Sequence, residues 1–454
     1  MKTTLSSTLR KFNGKFVKTM ILGFITVMVT SCTSSSSTSD NKKEFIFFES
    51  FDKQETVEKW KINNQQFANH FSLEKGKGID GSDCYMISND EKGEFYISTQ
   101  VANLNPGTVY RMKANIKTEN VEEGRGAIIT VNMENSDQIW NASKHLHGTS
   151  DWQEVYIDFV ANETGKAELC CRLGFFGGTT NGGKAKGKAW FDNISLNETS
   201  SDEAQLFEGQ HIRLILDTDK KSISDEDIKS WVSQLDKTYE SYHKFVGDVP
   251  YKGRKIDILT TPGIESGYWA LAGNPILWNN NTNIKQYLTD YKEKGDWSFG
   301  ILHEIAHTFS VGTVKGCDYW NWNDEIFANF RMAYALEDCN GSVSQRNVIY
   351  TGKDIMNYYK IFYDETLGQG IASDNGDAIQ YTLMRIKGKY GWQVYEKAFV
   401  KLYDCNNKPG KELKNKYEKF LYLLQHLSDV AGEDVTKTCY TEKELTLLKE
   451  ALEK

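Results

Sequence analysis

The rhythm of apolar and polar positions changes near residue 200. Before it, short runs alternate between apolar and polar side chains: Val109–Ile116, Ala127–Met133, Trp152–Val160, Ala167–Phe175 and Ala189–Leu196, each bounded by Gly, Asn, Asp or Pro. A period of two repeated in short segments predicts an all-β sandwich over residues 45–198. Leu104–Thr108, with Pro106 and Gly107, predicts a turn, and the glycine pairs at 177–178 and 182–183 predict a long loop. Residues 199–208, rich in Ser, Asp and Glu, read as a linker. From 209 onward the spacing becomes that of strands followed by helices. Ile212–Asp217 and Lys255–Leu259 read as strands, and between them a helix starts at Ser224 with Asp225, Glu226 and Asp227 in its first turn. Its apolar stripe is Ile228, Trp231, Val232, Leu235, Tyr239 and Tyr242. Beyond 296 the pattern is mostly helical. The expected fold is therefore an all-β sandwich followed by an α+β domain.

The N-terminal segment adds an address. Lys2, Arg10, Lys11, Lys15 and Lys18 precede the apolar run Met20–Val29, which is too short for a permanent span and fits a secretory leader. Val29-Thr30-Ser31-Cys32 then resembles the lipobox of bacterial lipoproteins. That resemblance implies cleavage after residue 31 and lipidation of Cys32, with Thr33 favouring an outer-membrane anchor in the bacterial cell envelope. Residues 32–44 form a tether, in which 33–41 hold five Ser and two Thr. Removing the leader leaves about 420 of the 454 residues, too many for one core and enough for two domains, 45–198 and 209–454.

Composition narrows the partners. A net charge of −8 gives no basis for a nucleic-acid partner. Of eight cysteines, seven follow Cys32 (84, 170, 171, 317, 339, 405 and 439), so at least one is unpaired and the chain is not a disulfide scaffold. Cys317 and Cys339 flank the segment around Glu325 and would pin it if joined.

The chemistry sits in His303-Glu304-Ile305-Ala306-His307. On a helix, residues four apart share a face, so both imidazoles reach one ion. Trp297, Phe299, Leu302, Ile305, Ala306 and Phe309 supply apolar bulk at helical spacing, with Asp296 as expected N-cap and Gly312 as stop. Zinc in a hydrolase takes three protein ligands and keeps a position for water, and Glu304 stands beside that position as general base. Seventeen residues after His307, Glu325 opens a second helical pattern and is the expected third ligand, with Asp318, Asp324 and Cys317 as competitors. Asn329, one turn on, is placed to orient His303 or His307. A three-histidine site is excluded, because Ser310 and Thr313 occupy the positions where its Gly and His would stand. Asp354–Tyr358 resembles the Met-turn of that class, but without the third histidine it reads as a chance match in a local helix or turn.

His303, Glu304, His307 and Glu325 together resemble the gluzincin class of zinc metallopeptidases, and residues 209–454 are similar to the enhancin-like peptidases associated with mucins and other O-glycosylated proteins. The resemblance implies that Gly267, Tyr268, Trp269 and Ala270 belong to an edge strand that holds extended substrate. It leaves the oxyanion donor open among Tyr319, Tyr358, Tyr359, Tyr381 and Arg331. The sandwich, with Trp190-Phe191-Asp192-Asn193-Ile194-Ser195-Leu196, resembles jelly-roll carbohydrate-binding modules. Such modules imply a structural calcium, for which Glu49, Asp52 and Asp192 are the candidates, and aromatic platforms for glycan, for which Trp140, Phe175 and Phe176 are. Two readings follow: a lipid-anchored zinc endopeptidase acting on glycoproteins, or a surface glycan-binding lipoprotein whose zincin-like domain is inactive. An intact Glu304 favours the first.

Overall fold

In the computed structural model, which describes residues 45–136, 141–175, 183–264, 267–314 and 319–453, the alternating half folds as two facing antiparallel sheets. Its strands are β1 (Phe47–Glu49), β2 (Lys61–Ile62), β3 (Phe71–Glu74), β4 (Cys84–Gly93), β5 (Phe95–Val101), β6 (Val109–Glu122), β7 (Ala127–Met133), β8 (Gly148–Val160), β9 (Ala167–Leu173) and β10 (Ala185–Glu198), with a one-turn helix α1 (Gln54–Val57). One sheet runs β3-β4-β10-β6-β8 with β1 also on β10, and the other runs β2-β5-β9-β7. Alternation puts every second side chain between them, where Ile87, Met112, Ile116, Ile129, Leu169 and Phe191 are fully buried. The leader, the tether and Cys32 lie outside the described residues.

The second half is built on a five-stranded sheet, β11-β12-β13-β15-β14. Its strands are β11 (Ala204–Glu208), β12 (Ile212–Asp217), β13 (Ile256–Thr261), β14 (Ala270–Leu271) and β15 (Ile276–Asn279). β12, β13 and β15 are parallel, and both edge strands run antiparallel. β12 and β13 are buried at every position, as continuous apolar strands of a covered parallel sheet should be. Helix α2 (Asp225–Val246) makes the crossover; Ser224 caps it by accepting from the Asp227 amide, and the whole expected stripe is buried. Helices α3 (Ile284–Lys294), α4 (Phe299–Thr308), α5 (Val311–Val314) and α6 (Asp324–Asp338) follow. After the hairpin β16 (Ser342–Gln345) and β17 (Val348–Thr351) come α7 (Met356–Glu365), α8 (Gly376–Tyr390), α9 (Gln393–Leu402), α10 (Lys416–Ala431), α11 (Val435–Cys439) and α12 (Glu442–Leu452). Among the described residues no helix is long and apolar enough to cross a membrane.

One expectation is corrected, and one pairing left open by the sequence is closed. The stretch 199–208 is not a free linker: its second half is β11, paired with β12 along its length, with Ala204 and Phe207 turned into the core. Nor does Cys339 pair with Cys317. Cys339 is a free thiol whose Sγ faces the Lys237 carbonyl at 3.4 Å, whereas Cys405 is disulfide-bonded.

The strand β11 leaves the halves no slack, and polar groups lock them. Arg111 on β6 donates to Asp158 on β8 at 2.8 and 2.5 Å and to Asp217 on β12 at 2.8 Å. The Tyr156 hydroxyl and Asn280 amide also donate to Asp217, and Asn141 accepts from Thr261 at 2.8 Å. Both carboxylates are only 2% exposed, so two negative charges share one buried guanidinium. Removing one member of such a set typically costs about 3–5 kcal/mol, because the partners stay buried and unpaired. Arg111→Met is expected to lower the urea unfolding free energy at neutral pH by about that amount; a loss below about 1 kcal/mol would mean the network holds little. Burial already raises the Asp217 pKa despite Arg111. A carboxyl that binds its proton more tightly when folded gains stability as pH falls, so the deficit of Arg111→Met should shrink toward pH 5.

Candidate metal centre

Helix α4 carries the His-Glu-x-x-His run and is shorter than the expected 296–311. It begins at Phe299 because Ser298, its N-cap, sits in the left-handed region at φ 70°, held by the Asp296 carboxylate accepting from the Ser298 amide at 2.8 Å. Phe309 closes it, and Val311–Val314 form a separate turn, α5. Ile301, Leu302, Ile305 and Ala306 face the core at 0% exposure, which turns His303, Glu304 and His307 toward the cleft. Helix α6 packs across α4, started by the Asn323 side chain accepting from the Glu325 amide at 3.1 Å. Capping therefore sets Glu325 in the first turn of one helix opposite the histidines of the other.

The three expected ligands converge. His303 Nε2 lies 2.9 Å from His307 Nε2 and 3.0 Å from Glu325 Oε2, and His307 Nε2 lies 3.5 Å from Glu325 Oε1. Among the described residues this is the one group of three or more His, Cys, Asp or Glu ligand atoms lying within 4.8 Å of one another. Ligands about 2.0–2.1 Å from a tetrahedral zinc stand roughly 3.3–3.4 Å apart, close to these spacings.

The outer contacts set the tautomers. His307 Nδ1 meets Asp324 Oδ2 at 2.6 Å, and His303 Nδ1 meets Asn329 Oδ1 at 2.8 Å. Each acceptor holds the ring proton on Nδ1, so in the neutral imidazoles both Nε2 lone pairs face each other and the Glu325 carboxylate. Groups at such distances are held together by a proton on Nε2 or by a cation between them, and the donor set of two imidazoles and a carboxylate fits zinc. Asp324 is thus not the third ligand but the orienting partner of His307. Its other oxygen accepts from Arg331 at 3.1 Å and Asn321 at 2.9 Å. Burial would raise the Asp324 pKa, but Arg331 and His307 outweigh it and hold it at about 2. Burial likewise opposes the charge on His307, yet Asp324 and Glu325 lift its pKa to about 9. Glu325 is held below the usual carboxylate range by its hydrogen bonds to His303 and His307. Asp318 and Cys317 lie outside the described residues.

Glu304 differs from its neighbours. Among the described residues none donates to its carboxylate, and burial pushes its pKa up against the opposing fields of His303 and His307. A carboxylate in that state is suited to accepting a proton.

Other candidates resolve unequally. Of the expected edge residues only Ala270 lies in β14, paired with Trp278; Gly267 and Tyr268 precede the strand. Trp269 packs against α4 so closely that a Cβ at Gly300 would lie 2.4 Å from its ring. Two oxyanion candidates are committed elsewhere: Arg331 to Ala306, Tyr403 and Asp324, and the Tyr319 hydroxyl to the Leu402 and Asp404 carbonyls. Asp377, which reading from spacing missed, accepts from Asn329 at 3.5 Å behind His303. Met356 opens α7, so the Asp354–Tyr358 run is a helix start.

In the sandwich, Phe175 is not an open platform. It is buried, with the Arg172 and Arg125 guanidinium groups 4.7 and 5.1 Å from its ring centre. Trp140 and Phe176 lie outside the described residues. Glu49 accepts from the Phe51 amide, Thr56 and Trp60, while Asp192 accepts from Ile79, Ser82 and Asn193. Glu49, Asp52 and Asp192 do not gather into a cluster of the metal-centre kind.

Outer partners of metal ligands typically contribute 10–100-fold in affinity. Asp324→Asn and Asn329→Ala are each expected to weaken zinc by about that factor in a chelator competition. Unchanged affinity in both would remove their orienting role.

No family profile and no curated protein matches this chain. Solved structures do. The chain is similar to TmCBM61 in complex with β-1,4-galactotriose, at 18% identity over 31% of this chain and 88% of that one, with a TM-score of 0.22. It is also similar to the CBM22-1 xylan-binding domain from Paenibacillus barcinonensis Xyn10C, at 11% identity over 34% and 94% of the two chains, with a TM-score of 0.26. A third likeness is to a xylan-binding domain from CBM 22, at 8% identity over 35% and 96%, with a TM-score of 0.26.

Proposed function

We propose that this chain is a zinc-dependent endopeptidase, exported, anchored to the bacterial outer membrane by lipid at Cys32, and acting on glycosylated proteins such as mucins. The observation that carries this reading is the convergence of His303 Nε2, His307 Nε2 and the Glu325 carboxylate within 4.8 Å, with Glu304 on the same helix. His303, His307 and Glu325 would hold the zinc, oriented by Asn329 and Asp324. Bound zinc supplies a Lewis acid that polarises a carbonyl and acidifies a water. Glu304 would accept a proton from the attacking water and return it to the leaving amine. Trp269 and β14 border the cleft as the wall against which an extended peptide lies. A sandwich locked to this half would bear on the glycans of the substrate. Incubating the zinc-loaded protein with mucin and with deglycosylated mucin tests the reading. The expected result is cleavage of the glycosylated form, abolished by chelation. Glycan binding without any hydrolysis would leave the inactive-enzyme reading instead.

A further inference from the structure

The hairpin of β16 and β17 is fixed at its base to the segment that leads into α4. The Trp297 amide donates to the Ser342 carbonyl at 2.9 Å, and the Ser342 hydroxyl donates to the Gly295 carbonyl at 2.7 Å. At the far end Gln345 pairs with Val348, so the turn is two residues long, Arg346 and Asn347. Both are left-handed, at φ 51° and 63°, as a tight hairpin turn that matches the twist of its strands requires. Asn347 suits that region, where a short polar side chain is tolerated. Arg346 does not: the first position of such a turn favours Asn, Asp or Gly. A long side chain kept there against local preference points to a use for it.

The side chain reaches toward the metal centre. Its guanidinium covers the Phe362 ring at 4.6 Å from the ring centre. From Phe362 the rings continue to Tyr358 at 5.3 Å, to Phe299 at 6.1 Å and to the His303 imidazole at 6.2 Å, so an aromatic floor joins the hairpin tip to a metal ligand. Phe299 and Phe362 are half-buried along it, and Arg346 is exposed. Stacking takes the flat face of the guanidinium and leaves its edge, a rigid fork of N–H donors, for another partner. Among the described residues no acceptor is bonded to that fork. Asp377 and Tyr358 feel its charge, but Asp377 accepts from the Asn329 amide and makes no ion pair with Arg346. In a chain of net charge −8, a cation thus stands unneutralised beside the cleft.

We infer that Arg346 binds a carboxylate of the substrate, away from the bond that is cut, through the paired geometry in which a guanidinium fork meets a carboxylate. That the bound molecule is a peptide or glycopeptide rests on the proposed function. The test uses the full chain with Glu304→Gln, so that nothing is cut, and calorimetry on two pairs of probes. One pair is a mucin glycopeptide before and after sialidase treatment; the other is an unglycosylated peptide with Asp or with Asn at matched positions. In at least one pair the carboxylate-bearing member is expected to bind about fivefold tighter, the size of an exposed ion pair, with a smaller difference at high salt. The pair that shows the difference tells whether sugar or peptide carries the carboxylate. Adding Arg346→Asn is expected to remove the difference while the thermal midpoint stays or rises, because Asn suits the turn; Arg346→Lys keeps the charge without the fork and retains part of it. No preference in either pair, or a preference that Arg346→Asn retains, overturns the inference and leaves the metal centre untouched. Binding of no probe at all removes this inference and the proposed substrate together. A chain with Glu304 intact that shows the preference yet cleaves nothing would sink the peptidase reading alone.

Discussion

Glu304→Gln is expected to slow hydrolysis of a mucin-type glycoprotein by about 10³-fold while zinc content stays at the wild-type level. General acid–base catalysis contributes roughly 10²–10⁴, and glutamine keeps the size and shape of the side chain but cannot take a proton. Glu304 is not one of the three converging donors, and among the described residues no donor holds its carboxylate, so the change removes the base without disturbing the ligands. The measurement is initial rate per bound zinc. Undiminished cleavage would show that the proton goes elsewhere, and lost zinc would show that Glu304 supports the metal.

Glu325→Ala carries the second large effect, a fall in zinc affinity of at least about a hundredfold, beyond what loss of an outer partner brings. The variant loses one of three donors and the only carboxylate among them, leaving two imidazoles. Asp324, its sequence neighbour, is the matched comparison. One carboxylate faces both Nε2 atoms and the other faces His307 Nδ1 and Arg331. If Glu325→Ala and Asp324→Asn weaken zinc equally, the division between ligand and orienting partner is wrong.

Features set by local chemistry were readable before the structure. The four-residue spacing of His303 and His307, the helical pattern that opens around Glu325, the Ser224 start of α2 and the strand Ile212–Asp217 all follow from contacts within a turn or from one period. What escaped depends on partners far apart in the chain. Asp324 looked like a ligand because spacing cannot tell which face of a first turn meets which ring nitrogen. Arg331 looked like a surface or catalytic arginine, yet it is buried under Ala306, Tyr403 and Asp324. The Arg111–Asp158–Asp217 lock joins positions 47 and 106 residues apart, and no periodicity marks it. The polar opening of 199–208 masked the alternation of Ala204 and Phe207, and with it the strand that fuses the two halves. Phe175 shows a related limit: an aromatic at a strand end reads alike in the sequence whether it waits for a sugar or, as here, is buried beside arginines.

The most direct measurement is anomalous X-ray scattering at the zinc edge from crystals of the full chain grown with stoichiometric zinc. A single strong peak is expected about 2.0–2.2 Å from His303 Nε2, His307 Nε2 and a Glu325 oxygen, with Asp324 on the far side of the His307 ring. A peak elsewhere, or none between the two imidazoles, would contradict the metal centre on which the account stands.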